Sequence, residues 1–196
     1  IIEDASHAFG AHYFERPIGS FAQIEATIFS FHPVKMITTG EGGAVVSRHS
    51  DLINKIKRLR SHGINRSEQK YSWEYDQSEL GFNYRLPELN CALGLAQLAK
   101  LSGFIETRNS LSSLYDQRFD GDKIFGQTVT PGTVSSRHLY IIRSPSIKTL
   151  DQKQILVDTL ASVGIRTQVH YIPVYRHSYY HTARQHECVG AEEYYR

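Results

Sequence analysis

Three short apolar runs in the first 47 residues limit what this chain can fold into. "II" runs straight into Glu3 and Asp4, "ATIFSF" (26–31) carries Ser30 at the end of its aliphatic stretch, and "GGAVVS" (42–47) follows a glycine-rich turn. Runs of this length, rich in Val, Ile and Phe and bounded by polar residues or glycine, read as buried strands. A helical pattern comes next, with Leu52, Ile53, Ile56 and Leu59 on one face and Ser50 or Asp51 as its cap. Lys57, Arg58 and Arg60 occupy its last turns and Gly63 closes it. Buried strands joined by helices predict an α/β sheet, and in such sheets ligands gather outside the carboxyl ends of the strands.

The rest of the chain divides more loosely. A polar and aromatic loop, "INRSEQKYSWEYDQSELGFNYR", leads to Pro87, which suits the first position of a long helix. Leu89, Leu93, Ala96 and Leu101 supply its apolar side, with a bend expected near Gly103 before it runs on to Tyr115. Residues 121–133 contain glycine and little pattern, so they read as a linker. A strand at "HLYIIR", a helix capped by Asp151 and a strand near "RTQVHYIPV" then form a second unit. The expected division is a first domain over 1–120 and a smaller α+β domain over 121–196.

Bulk properties exclude several function classes. Lys and Arg number 22 against 20 Asp and Glu, too even a balance to favour nucleic acid or an acidic membrane surface as the main partner. No apolar run approaches the roughly 20 residues a membrane helix needs, and "IIEDASH" lacks the pattern of a signal peptide. Two cysteines, Cys91 and Cys188, make no disulfide framework, so a reducing cytoplasm is the expected setting. His177, His181, His186 and Cys188 lie near one another in sequence. They include no carboxylate and fit no standard zinc spacing, so no metal is expected.

The stretch "SFHPVKMITTGEGGAVVS" (30–47) places Lys35 five residues after Ser30 and then turns through Gly40, Gly42 and Gly43. A lysine amine can form a Schiff base with an aldehyde when its surroundings favour the neutral amine. A carboxylate such as Asp4 can keep a pyridine nitrogen protonated, and a hydroxyl with a glycine-rich backbone can seat a phosphate. Together these are what pyridoxal 5′-phosphate asks of a protein. Each piece has a plainer reading: a solvated lysine, an aspartate capping a helix, glycines that form a tight turn.

Four stretches in order, "EDASHAFGA", "GSFAQIEATIFSFHPVKMITTGEGGAVV", "LGFNYRLPELNCALGLAQL" and "HYIPVY", resemble the DegT/DnrJ/EryC1/StrS family. The resemblance spans nearly the whole chain. It implies a pyridoxal-phosphate-dependent aminotransferase of fold type I, aspartate-aminotransferase-like, acting on a nucleotide-linked 4-keto-6-deoxy sugar in glycan biosynthesis. By the same resemblance Lys35 is the Schiff-base lysine, Asp4 the partner of the ring nitrogen and Ser30 a phosphate ligand. His7 stands where many relatives carry a glutamine facing the ring hydroxyl. Asn83 matches an asparagine that reaches the cofactor phosphate of a partner subunit, which implies a homodimer with shared sites. Arg85, His170 and Tyr171 are candidates for the nucleotide diphosphate or the sugar, and glutamate is the implied amino donor.

Members of this family are longer. Their amino-terminal part supplies a helix start that binds the cofactor phosphate, and nothing precedes Ile1 here. The expectation is therefore a partial large domain and a truncated small domain that alone bind cofactor weakly. A second reading is a non-enzymatic binding or interaction module that needs no intact Lys35. The family's dehydratase branch, in which a histidine replaces the lysine, is disfavoured by Lys35 itself.

Overall fold

The computed structural model describes residues 1–66, 70–119, 121–180 and 188–195. Two compact units emerge: Ile1–Arg118 together with Gly126–Ile141, and Phe119–Phe125 together with Ile142–Arg196. The segment Gly126–Ile141, which the sequence reading places in the second domain, belongs with the first unit. Asn109 Nδ2 donates to the Ser135 carbonyl at 2.9 Å and Ser136 Oγ to the His7 carbonyl at 3.0 Å, which ties it there.

The first unit is built on a sheet of order β1-β4-β5, formed by β1 (Ile2–Asp4), β4 (Ala26–Ser30) and β5 (Gly43–Val46). These are the three strands expected from the apolar runs. β1 and β4 run parallel, with Asp4 opposite Ile28; β4 and β5 run antiparallel, with Ser30 opposite Gly43. The close approach at that last pair demands glycine, since a Cβ on Gly43 would stand 2.6 Å from the Phe29 carbonyl oxygen. Ala26 and Phe29, on opposite faces of β4, are buried, as are Met36 and Ile37 of the loop that follows it. Phe9 meets the rings of Phe29 and Phe31 edge-on at 5.0 and 5.4 Å. Burying a side chain such as Phe29 stabilises the unit by about 1.5–3 kcal/mol.

A second small sheet, β3-β2-β9, joins β2 (His12–Tyr13), β3 (Arg16–Pro17) and β9 (Thr133–Val134). Two-residue strands carry no periodicity, so none of these is visible as a run in the sequence. The turn between β2 and β3 is unusual for its residues, with Phe14 and Glu15 both at positive φ. β6 (Ile64–Asn65) pairs antiparallel with β7 (Asp76–Gln77), and β8 (Phe125–Gly126) pairs with β10 (Ile142–Arg143).

α1 (Ser50–Leu59) has the expected apolar positions half-buried, but its N-cap is His49, without a side-chain capping bond. α2 (Glu88–Leu98) starts after Pro87, which sits at the cap with extended ψ rather than inside the first turn. The long helix breaks at Ala99 and Lys100, ahead of the expected bend at Gly103, and resumes as α3 (Leu101–Arg118). Leu89 and Leu93 lie open, Leu89 at 83 %. What α2 turns toward the loop between β4 and β5 is its small and polar side: a Cβ on Gly94 would touch Thr39, and Asn90 Nδ2 donates to the Thr39 carbonyl.

In the second unit α4 (Leu150–Ser162) is capped by Thr149 in a reciprocal box with Gln152, not by Asp151. A hydroxyl one turn ahead of a glutamine satisfies two orphan donors at once, which a lone aspartate inside the first turn does not. The strand expected near "RTQVHYIPV" does not form; irregular chain leads into single 3₁₀ turns at Val174–Arg176 and Ser178–Tyr180. Val169 and Ile172 are exposed there and Pro173 lacks an N–H, so no neighbour completes a ladder. The expected strand at "HLYIIR" shrinks to β10 for the same want of pairing. α5 (Val189–Tyr195) is held by Glu192, which accepts from Tyr175 Oη and Arg176 Nε at 2.9 Å each. No described residue of this unit is buried.

Candidate active site

Asp4 ends β1, and Ser30 ends β4 beside it. The loop from β4 to β5 is pinned at both flanks. Phe31 N donates to the Gly42 carbonyl at 2.8 Å and Thr39 N to the Phe31 carbonyl at 3.0 Å. Within it a turn closed by Lys35 N on the His32 carbonyl, at 2.9 Å, sets the lysine above buried Met36 and Ile37. Gly42, at φ +149°, provides the return that a side chain would obstruct, since its Cβ would stand 2.6 Å from Thr39 Oγ1, which donates to the Glu41 carbonyl. The glycines therefore frame the lysine loop, as its sequence suggests.

Asp4 is oriented by its own turn. Its Oδ1 accepts from Ser6 Oγ at 2.6 Å and from Ser6 N at 3.0 Å. Those two bonds, the hydroxyl's first, hold the carboxyl below the usual range; slight burial opposes them, and the charges of His7 and Lys35 add to the lowering. Lys35 thus lies within electrostatic reach of Asp4. Lys35 is half-buried as a residue; its amine makes no ion pair or hydrogen bond among the described residues, and Asp4 Oδ2 likewise accepts none. Ser30 Oγ accepts one long bond, 3.4 Å from His32 N. His7 is exposed and stands next in the chain to the Asp4 turn.

Asn83 and Arg85 also belong to the first unit. Asn83 bridges Ser61 across an antiparallel contact. Arg85 lines a cavity of about 400 Å³ with Lys57, Arg58, Ser61, Ile64 and Arg66. The cations of that cavity come from α1 (Lys57, Arg58) and from Arg66 and Arg85 outside it, so no single sequence window displays them. One of its cations, Arg58, is engaged with Glu79 at 3.2 Å. His170 and Tyr171 belong to the second unit, where their rings stack at 3.7 Å. His181 and His186 lie outside the described residues.

The sheet and its strand-end residues define the class: an α/β protein with an amine and a carboxylate placed outside the carboxyl ends of neighbouring parallel strands. The family model of the DegT/DnrJ/EryC1/StrS aminotransferases matches residues 1–196, and the chain belongs to that family. It is 48 % identical over 182 residues to the UDP-4-amino-4,6-dideoxy-N-acetyl-beta-L-altrosamine transaminase of Campylobacter jejuni, covering 92 % of this chain and 46 % of that protein. Among solved structures it is similar to Helicobacter pylori PseC, an aminotransferase of pseudoaminic acid biosynthesis, with TM-score 0.89 and 36 % identity. That match covers 99 % of this chain and 51 % of the other. It is also similar to the PLP form of Spr1654, a candidate sugar aminotransferase of Streptococcus pneumoniae, with TM-score 0.84 and 31 % identity over 92 % of this chain and 46 % of the other. The chain spans about half the length of the curated relatives it matches.

The residues present fit a pyridoxal phosphate. A carboxylate held by one oxygen presents the other, the amine of Lys35 stands within its field, and a strand-end hydroxyl has its donor proton unclaimed among the described residues. No described helix is long and apolar enough to cross a membrane.

Proposed function

We propose that this chain carries the lysine-bearing half of a pyridoxal-phosphate-dependent aminotransferase that moves an amino group from glutamate to a nucleotide-linked 4-keto-6-deoxy sugar. The name of its Campylobacter relative points to a UDP-linked N-acetylhexosamine as that sugar. The observation that carries the reading is the placement of Lys35, in the loop that follows β4, within electrostatic reach of Asp4 at the end of the adjacent strand β1.

When bound, the cofactor supplies an electron sink for charge left on a substrate carbon. Lys35 is the residue that would hold the cofactor's aldehyde, and its amine would carry a proton from the amino donor's α-carbon and return one in the second half of the exchange. Asp4 Oδ2 would accept from the ring N–H, and Ser6, which favours the ionised carboxyl, suits Asp4 to keep that proton in place. Ser30 Oγ would donate to the phosphate, and His7 is the residue assigned to the ring hydroxyl. Arg85 and its cationic cavity suit a nucleotide diphosphate, because guanidinium groups match phosphate oxygens. His170 and Tyr171 are assigned to the nucleotide sugar.

A homodimer in which Asn83 reaches the partner's phosphate is supported by α2. Its leucines lie uncovered although the helix is apolar around most of its circumference, and such a helix is normally buried.

The test is borohydride reduction at saturating cofactor, followed by peptide mass mapping. The pyridoxyl mass is expected on Lys35 and absent from exposed lysines such as Lys55 and Lys57. Labelling spread evenly over surface lysines would leave the chain a binding module of this fold.

A further inference from the structure

The turn at residues 135–138 is fixed from every side. Arg137 stands at φ +50°, a left-handed conformation uncommon for a residue with a side chain. Such a residue persists where its surroundings over-determine it, and these states cluster at functional sites. Here Ser135 Oγ accepts from Arg137 N at 3.1 Å, and Asn109 Nδ2 donates to the Ser135 carbonyl at 2.9 Å. Arg108 Nη1 donates to the carbonyls of Arg137 and His138 at 3.2 and 3.3 Å. Buried Ser136 then reaches across and donates from Oγ to the His7 carbonyl at 3.0 Å. The product of all this is the ring of His138 at 4.3 Å from the ring of His7, tilted by 57°.

We propose that His138 is a positioning residue for His7, and that the turn at 135–138 exists to hold one imidazole against the other. Ser136 fixes the backbone of His7 and His138 fixes its ring, so a side chain that is otherwise exposed is held in one orientation. The role of that orientation, aligning His7 with the ring hydroxyl of the cofactor, rests on the aminotransferase reading; the restraint of His7 by His138 does not. Arg137 is in the left-handed state because the chain must reverse there to bring residue 138 back over residue 7.

Two readouts separate these layers. In the side-chain NMR spectrum, His138→Ala is expected to remove the ring-current displacement of the His7 protons, while His138→Phe keeps a displacement. In a cofactor titration followed by absorbance, His138→Ala weakens binding roughly three- to tenfold, the scale of one aromatic contact. His138→Phe restores it to within about twofold of wild type on the same scale, and His138→Ala adds nothing in a His7→Ala background. If His138→Ala unfolds, Arg108→Leu, which releases the carbonyls of the turn, carries both readouts with the same expected losses. Unchanged His7 resonances, additive losses in the double variant, or a Phe variant as weak as the Ala variant would each overturn the proposal. A protein that takes up no cofactor at Lys35 would overturn the aminotransferase reading, and the His7 resonances would still decide this one.

Discussion

Ser6 donates twice to a single oxygen of Asp4, from its hydroxyl at 2.6 Å and its backbone N–H at 3.0 Å. The hydroxyl bond is the largest cause of the lowered Asp4 carboxyl. Ser6→Ala should therefore move the Asp4 titration upward, toward the ordinary carboxylate value near 3.8, as read from its side-chain carboxyl shift against pH. Because the folded value lies below the unfolded one, the stabilisation is present above the unfolded value and is lost as pH falls through the folded one. The stability gap between wild type and Ser6→Ala should accordingly be constant near neutrality and close under acid. A gap that widened under acid would mean that Ser6 acts on the protonated carboxyl instead.

Lys35 divides the enzymatic reading from the interaction-module reading. Its amine stands in the field of Asp4 and has no other claim on it among the described residues. Lys35→Ala should abolish the site-selective pyridoxyl label and lower any amino transfer by roughly 10²–10⁴-fold, the usual contribution of a positioned proton carrier. Circular dichroism should not change. Activity or partner binding that survives Lys35→Ala intact would favour the interaction module.

How much of this was legible in advance follows from periodicity and length. β1, β4 and β5 are apolar runs ended by Asp4, Ser30 and the glycine turn, so both the strands and the lysine loop show in the sequence. The pair His12–Tyr13 and its partners are too short for any pattern, and their sheet depends on residues more than a hundred positions away. His138 was invisible for the same reason: "HLY" reads as the start of a strand, and only the folded chain carries it to His7. The expected strand over "RTQVHYIPV" failed because its Val and Ile residues express β-propensity only where a neighbouring strand exists to pair with them.

Gly63 and Gly81 touch through their backbones. Gly63, at φ +71°, would place a Cβ 1.9 Å from the Glu79 carbonyl oxygen, and a Cβ on Gly81 would fall 2.1 Å from Gly63 N. Neither neighbour is a side chain that could swing away. Gly81→Ala should cost about 1–3 kcal/mol or more, as overpacking against fixed atoms does, and it should lower the midpoint of thermal unfolding. Because Phe82 N and Tyr84 N hold this segment to the carbonyls of Leu59 and Arg60, the same variant should disturb Arg85. Reduced protection of the Phe82 and Tyr84 amides in hydrogen exchange would register that directly, and native protection would refute it.

The α2 leucines give the last prediction. Leu89 is 83 % exposed and Leu95 69 % exposed, on a helix that meets the loop between β4 and β5 through Gly94 and Asn90. If this surface is the seam of a homodimer, Leu89→Asp or Leu95→Asp should shift the sedimentation profile from dimer to monomer. A charge there would lose its water on association, whereas in the monomer it stays solvated. Monomer stability should move by no more than about 0.5 kcal/mol, the range for exposed substitutions away from special features. Secondary structure should stay unchanged, and wild type should show a concentration-dependent unfolding midpoint that the variants lack. A dimer that survives both substitutions would place the seam on another surface and remove the support α2 lends to Asn83 as a group shared between subunits.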